Sequence, residues 1–266
     1  MASSYDLMND LSSAGLHRAW KRGLVARLDP WPGIRLLDVA GGTGDVATRV
    51  VEAIARKSGE DEDNGMAEGA DAESTTVVEV CDINAAMLAE GARRALASDD
   101  PAVRTIRFRH GDAEALPHPD ESFDAVTIAF GLRNVTRRGR ALREMARVLR
   151  PGGRLMILEF TPTVSVRAGS PLPLPTIPRG ALPKGVPTPD AVAQTFYDLY
   201  SHSALPALGK AVAGDGEAYR YLAESIRRFP SPPVLAGEMR AAGLRGVTRE
   251  RLAPGGLVCI HSGFRV

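Results

Sequence analysis

The segment Asp38-Val39-Ala40-Gly41-Gly42-Thr43-Gly44-Asp45 is the part of the chain best suited to hold a ligand. It follows an apolar run at 34–40 and precedes Val46, Val50, Val51 and Ile54, which have helical spacing. It therefore reads as a tight turn from a buried strand into a helix. Glycine suits such a turn and lets a ligand approach the backbone closely. The free N–H groups at a helix start favour an anionic group. Gly42, Thr43 and Gly44, with Asp38 at the end of the strand, are the first candidate binding residues.

Two cofactors offer a suitable anion. One is S-adenosylmethionine, through its methionine carboxylate. The other is a dinucleotide, because Gly42-x-Gly44-x-x-Ala47 also satisfies the dinucleotide fingerprint. The remaining motifs favour the first. Asp82, followed by Ile83, ends the next apolar run, where an acid can accept both hydroxyls of an adenosine ribose. In dinucleotide folds such an acid lies about 20 residues past the glycines. Here the spacing is longer, and the acidic, small-residue stretch at 57–75 makes up the difference. Asp112-Ala113 ends a third strand, where a carboxylate and a backbone N–H can read adenine. The turn Leu149-Arg150-Pro151-Gly152-Gly153 recurs in methyltransferases and is no part of the NAD fingerprint. No Tyr-x-x-x-Lys or comparable hydride-transfer signature accompanies the glycines. Asp82 also suits a helix cap and Asp112 a turn, so the argument rests on the order of the motifs.

Positioning these residues requires an alternation of strand and helix. Strands are expected at 34–40, 77–82, 105–110, 123–130 and 154–160, with helices from Asp45, over 85–97 and over 138–149. That pattern predicts a parallel sheet covered on both faces, with the loops after the strands along one edge. Helices are predicted over 191–208, 218–228 and 234–242. The strands at 247–252 and 257–264 are joined too closely for a parallel crossover, so they form an antiparallel hairpin. The expected fold is α/β, a Rossmann-like class I S-adenosylmethionine-dependent methyltransferase: a seven-stranded, mostly parallel sheet with an antiparallel C-terminal hairpin. One domain spans 1–266, with an N-terminal lid at 1–28 and two insertions. The stretch at 57–75 reads as a looping acidic insertion, and 162–190 as a proline-rich surface loop. A net charge of +1 excludes a global field for nucleic acid. No apolar run approaches the roughly 20 residues that cross a bilayer. The two cysteines, Cys81 and Cys259, are too far apart in sequence for a Cys-x-x-Cys motif, so neither a disulfide framework nor a metal site is expected. The N-terminus carries no signal or transit pattern.

Several segments are distinctive beyond the fold. Tyr5-Asp6-Leu7-Met8-Asn9-Asp10, Leu16-His17-Arg18-Ala19-Trp20-Lys21-Arg22 and the glycine turn form one group. Gly111-Asp112-Ala113-Glu114-Ala115-Leu116-Pro117, Phe130-Gly131-Leu132-Arg133-Asn134-Val135, Leu158-Glu159-Phe160 and Tyr219-Arg220-Tyr221-Leu222-Ala223-Glu224-Ser225-Ile226 form another. Together they resemble the ubiquinone/menaquinone biosynthesis C-methyltransferase family, over nearly the whole chain outside the two insertions. The resemblance implies carbon methylation of a polyprenyl benzoquinol ring in ubiquinone synthesis, or of demethylmenaquinol in menaquinone synthesis. It carries S-adenosylmethionine contacts onto Thr43, Asp82, Asp112 and Ala113, and Asp38, Gly42, Gly44 and Ile83 complete the expected set. Bacterial members often have serine where this chain has Ala129, so that contact is not expected here. The implied partners are the polyprenyl benzoquinol, a second copy of the chain and other ubiquinone-biosynthesis enzymes, with peripheral membrane contact and no nucleic acid. The insertions point to a mitochondrial enzyme on the matrix side of the inner membrane, the alternative being a bacterial cytoplasmic one.

The sulfonium methyl is already activated, so the enzyme must align a carbon nucleophile and exclude water. A quinol ring carbon becomes nucleophilic as a neighbouring hydroxyl loses its proton, and nearby positive charge favours the phenolate. Arg133 is the leading candidate for that charge. Arginine is no base at neutral pH, so it would hold a proton-accepting water or stabilise the phenolate directly. Asn134 can orient the same group, and Tyr5 can reach over the ring from the lid. Capping of the strand or pairing with a surface acid is the alternative for Arg133, and a packed aromatic anchor for Tyr5. His202 is a weaker base candidate, and His110 and His118 read as structural. The rival readings are an NAD-dependent oxidoreductase, an O-methyltransferase, and a non-catalytic S-adenosylmethionine-binding scaffold of a biosynthetic complex.

Overall fold

The computed structural model describes residues 16–63, 75–161, 221, 224–252 and 258–266. Seven strands form one sheet in the order β3-β2-β1-β4-β5-β7-β6. These are β1 (Arg35–Val39), β2 (Val77–Asp82), β3 (Arg107–His110), β4 (Phe123–Ala129), β5 (Leu149–Phe160), β6 (Leu244–Leu252) and β7 (Val258–Arg265). The pairs β1–β2, β1–β4, β2–β3 and β4–β5 are parallel, while β7 runs antiparallel to both β5 and β6. The helices are α1 (Leu16–Leu28), α2 (Asp45–Asp63), α3 (Ala85–Leu96), α4 (Pro101–Arg104), α5 (Arg138–Val148) and α6 (Pro232–Ala241).

The central strands are apolar on both faces because each face is covered, as in buried parallel sheets. Leu36, Val78 and Val80 pack with α1 and α2 residues such as Leu24, Val46 and Val50 in one cluster. Leu37, Val39, Val126 and Ile128 pack with Leu142 and Met145 of α5 and Met239 of α6 in the other.

Three local features differ from the sequence expectation. Helix α2 continues to Asp63, into the stretch read as a looping insertion from residue 57. Its polar continuation is tied back to the body by Lys57, whose Nζ donates to the Pro30 carbonyl at 3.0 Å, while Ser58 Oγ donates within the helix to the Ile54 carbonyl at 3.2 Å. Residues 64–74 lie outside the described set, as do 162–190. Pro151-Gly152-Gly153 does not precede the fifth strand but bends it. Leu149 already pairs with Phe123, the register shifts, and Arg154 pairs with Ala125. Gly152 has φ +80, and a Cβ on Gly153 would lie 2.8 Å from the Arg150 carbonyl, so the bulge needs both glycines. The third strand begins at Arg107 because Asp100 caps the short helix α4 before it, accepting from the Ala102 N–H.

Helix α1 is anchored across the molecule. Arg27 makes a two-pronged ion pair with Glu250 of β6, Arg154 Nη1 donates to the Arg27 carbonyl at 2.7 Å, and Lys21 Nζ donates to Asp45 at 2.9 Å. The second half of the expected lid at 1–28 is thus a helix held beside the glycine turn. Residues 1–15, including Tyr5, lie outside the described set.

Candidate functional site

Parallel register gathers the candidate residues on one edge. Val39 pairs with Cys81 and with Ile128, Asp82 with His110, and Ala129 with Leu158. Along the C-terminal edge the order is thus Asp112-Ala113, Asp82-Ile83, the glycine turn, Phe130–Asn134, then Glu159-Phe160.

The glycine turn is built by two aspartates. Asp38 is 1% exposed and lies beneath the turn. Its Oδ1 accepts from Thr127 Oγ1 at 2.7 Å, and its Oδ2 is buried without a hydrogen-bond partner. A Cβ on Gly41 would meet Asp38 Oδ2 at 2.5 Å, so only glycine lets the chain pass there. Burial pushes the Asp38 carboxyl up to about 7, against the pull of Thr127 and Lys21. Asp38 is therefore a floor for the turn rather than an open ligand contact. Asp82 holds the other side: its Oδ2 accepts from the Gly42 N–H at 2.9 Å and its Oδ1 from the Asn84 N–H at 2.8 Å. Gly42 and Gly44 have φ +58 and +84, the left-handed region that glycine enters without strain. Gly44 donates to the Gly41 carbonyl at 2.9 Å, closing the turn into α2. At the helix start burial works to raise the Asp45 carboxyl, but Lys21 and Arg49 outweigh it and hold it below the usual carboxylate range.

Ile83 is 66% exposed beside Asp82, and its carbonyl is met by His110 Nε2 at 3.0 Å. Asp112 makes a local turn, Oδ1 accepting from the Glu114 N–H at 2.8 Å, with Ala113 half-buried against the core. His118 is structural as expected, since its Nε2 lies 2.8 Å from the buried Glu79 carboxylate. These residues fit the adenosine end of S-adenosylmethionine. Asp82 presents a carboxylate whose two oxygens are each held by one backbone N–H and keep further acceptor capacity. Thr43 lies on the turn between Gly42 and Gly44.

Past β4 the chain turns sharply. Phe130 has φ +58 and Ala40, at the matching end of β1, has φ +51. Two non-glycine residues in this region, side by side on adjacent strands, mark a strained edge of the kind found at functional sites. Phe130 packs with Phe160 at 4.9 Å and with Trp20 of α1 at 6.2 Å between ring centroids, and Trp20 meets Phe160 edge-on at 6.0 Å. Arg133, on the 3₁₀ turn Leu132–Asn134, lies over the Phe160 ring at 5.4 Å. Its Nη1 donates to Glu159 Oε1 at 2.9 Å and to the Phe130 carbonyl at 2.5 Å. The Arg133 N–H also donates to Glu159 Oε2 at 3.2 Å. The two side chains are 4% and 1% exposed. The cation expected from the sequence is therefore one half of a buried ion pair, while its Nε is buried without a partner. Asn134 is exposed, and its Oδ1 accepts from the Tyr221 hydroxyl at 3.3 Å. A cavity of about 360 Å³, lined among others by Arg133, Asn134, Tyr221 and Phe229, opens here, a size within the range of about 300–1,000 Å³ usual for small-molecule sites.

Sequence reasoning quoted Glu159 and Tyr221 within motifs but gave them no role. An acid inside an apolar strand was a usable signal, because a buried carboxylate requires a partner. Glu114 was missed in the same way. It is buried and accepts from the Arg137 N–H at 2.7 Å and Arg137 Nε at 2.5 Å, tying the Asp112-Ala113 loop to the start of α5.

The sequence pattern of the ubiE/COQ5 methyltransferase family matches residues 1–168 and 187–265. The chain belongs to this family. The unmatched internal residues, 169–186, fall within the proline-rich insertion expected at 162–190. The chain is 47% identical over its full length to the ubiquinone/menaquinone biosynthesis C-methyltransferase UbiE of Methylobacterium nodulans, covering 88% of that protein. It is 44% identical, again over its full length, to the mitochondrial 2-methoxy-6-polyprenyl-1,4-benzoquinol methylase of Oryza sativa, covering 81% of it. The human protein of that name is 41% identical and 77% covered. In fold, the chain is similar to a SAM-dependent methyltransferase from Aquifex aeolicus, with a TM-score of 0.58, 14% identity, and 100% and 99% of the two chains covered. The chain is thus a class I methyltransferase with S-adenosylmethionine as its cofactor, and the oxidoreductase reading falls.

Proposed function

We propose that this enzyme methylates a ring carbon of 2-methoxy-6-polyprenyl-1,4-benzoquinol in ubiquinone synthesis. The observation that carries the reading is the Phe130–Asn134 turn, which sets a buried guanidinium and an exposed amide one strand away from the cofactor turn. The names of the rice and human relatives support the same substrate.

S-adenosylmethionine supplies an electrophilic methyl group. Asp82, Ile83, Asp112 and Ala113 hold its adenosine end; because the Gly42 N–H is taken by Asp82 and the Gly44 N–H by the Gly41 carbonyl, the Thr43 N–H is the amide of the turn left to meet its carboxylate. Asp38 supports that turn from below. Trp20, Phe130 and Phe160 exclude water from the edge. Arg133 draws negative charge onto the ring oxygen through the guanidinium N–H groups that Glu159 does not use, and Asn134 orients the same hydroxyl. Tyr5 is the candidate to cover the ring from the N-terminal segment. The cavity beside Arg133 and Tyr221 receives the ring, and the polyprenyl tail leaves it toward the membrane. Among the described residues no helix is long and apolar enough to cross a membrane, so contact with the lipid would be peripheral, on the matrix side of the mitochondrial inner membrane. A second copy of the chain and other ubiquinone-biosynthesis enzymes are the proposed partners.

The test is complementation of a strain lacking the quinone C-methyltransferase, with quinones analysed by mass spectrometry. The ring methyl of ubiquinone should return. Failure despite good expression would refute the substrate assignment and leave the fold. Arg133→Ala should abolish methylation while calorimetry still shows S-adenosylmethionine binding. Near-normal turnover would remove Arg133 from the chemistry.

A further inference from the structure

Arg133 does not face the cavity as an isolated cation. Glu159 takes its Nη1 at 2.9 Å and its backbone N–H at 3.2 Å, and also accepts from the Phe160 N–H at 2.8 Å. One carboxylate thus orients the guanidinium, pins the 3₁₀ turn that carries it, and is itself locked at the end of β5. The pair is almost wholly out of water, where an opposite charge is felt most strongly. We propose that Glu159 is the positioning residue of the methyl transfer: it aims the Arg133 guanidinium and, by neutralising it, sets the ease with which the bound quinol hydroxyl ionises. This rests on the role given to Arg133 above.

Two consequences separate position from charge. With Glu159 present, its anion works against a second anion forming nearby. Removing that charge and keeping the shape leaves Arg133 uncompensated, so the hydroxyl ionises at lower pH. Loosening the guanidinium also misplaces it, and small misplacements are costly at a reacting centre. The other ionisable groups nearby do not duplicate this charge. Cys259 faces Glu159 across β7, and burial pushes its thiol up to about 11, so it stays neutral. Around the cavity, Arg228 pairs with Glu224 and Arg138 with Glu238. The Tyr221 hydroxyl is used by Asn134. On α1, Lys21 is held by Asp45.

The experiment compares the full-length enzyme with Glu159→Gln and Glu159→Asp, using S-adenosylmethionine and a short-chain benzoquinol. It measures kcat, KM and their pH profiles, with cofactor binding by calorimetry as the check on folding. Glu159→Gln should bind the cofactor normally and lose at least about tenfold in kcat, with little change in KM. The acid limb of its kcat profile should move about one pH unit lower. Glu159→Asp keeps the charge and shortens the reach, so kcat should fall with the acid limb unmoved; it carries the test if Glu159→Gln does not fold. An unchanged kcat in either variant overturns the proposal. A reduced kcat in Glu159→Gln with an unmoved acid limb overturns it as well, leaving a purely structural carboxylate. Should Arg133→Ala retain turnover, the Arg133 reading fails independently of how Glu159 behaves.

Discussion

Asp38→Asn is expected to stabilise the ligand-free protein, increasingly so as the pH rises. The Asp38 carboxyl is held at about 7, against an ordinary value of 3.8, chiefly by burial. A carboxyl raised in the folded state binds a proton that the unfolded chain releases earlier. Its contribution is therefore complete below 3.8 and is lost as the pH climbs through about 7. Each unit of that interval is worth about 1.4 kcal/mol. Between pH 5 and pH 8 the parent should lose about 3 kcal/mol through this group alone. Asparagine keeps the shape and can still accept from Thr127 Oγ1. Its amide N–H₂ takes the place of Oδ2, which already lacks a partner; the cost of those unpaired N–H groups is the same at every pH, so it offsets the comparison without changing how the gap widens. Urea unfolding of both proteins at pH 5, 6, 7 and 8 reads the difference, and all other titrations cancel in the comparison. The gap should widen by about 3 kcal/mol from the lowest to the highest pH, with Asp38→Asn the more stable protein at pH 8. A gap independent of pH would refute the argument, because it would mean that Asp38 does not change its protonation across this range.

Two other substitutions probe the edge. Asp82→Asn should weaken S-adenosylmethionine binding about 10- to 100-fold by calorimetry, the loss of about one charge-assisted hydrogen bond, with a smaller effect on the ligand-free melt; unaltered affinity would remove Asp82 from the cofactor site. Trp20→Ala should cost about 3–5 kcal/mol in urea unfolding, since the ring is buried between Phe130 and Phe160; a loss under 1 kcal/mol would show that α1 is not packed there.

Much of the fold was legible locally. Apolar runs closed by glycine, proline or aspartate marked the strands, and the brief link after Leu252 required the hairpin. The glycine turn was legible because a φ above zero and a helix start are consequences of residue type at adjacent positions. The end of α2 was not legible, because an acidic stretch reads as loop until Lys57 is seen tied to the Pro30 carbonyl, 27 residues away.

The sequence by itself determined the order of the elements, the glycine turn and the presence of an arginine just past β4. Only the tertiary structure decided what that arginine is. Glu159 lies 26 residues further along the chain and Thr127 lies 89 from Asp38. Such partners meet only when β1, β4 and β5 align in parallel register. Burial then changes their chemistry: a lone cation becomes a neutral pair, and an ordinary carboxylate becomes one that titrates near 7. Charge and proton affinity depend on distance and on excluded water, and neither exists until the sheet has formed.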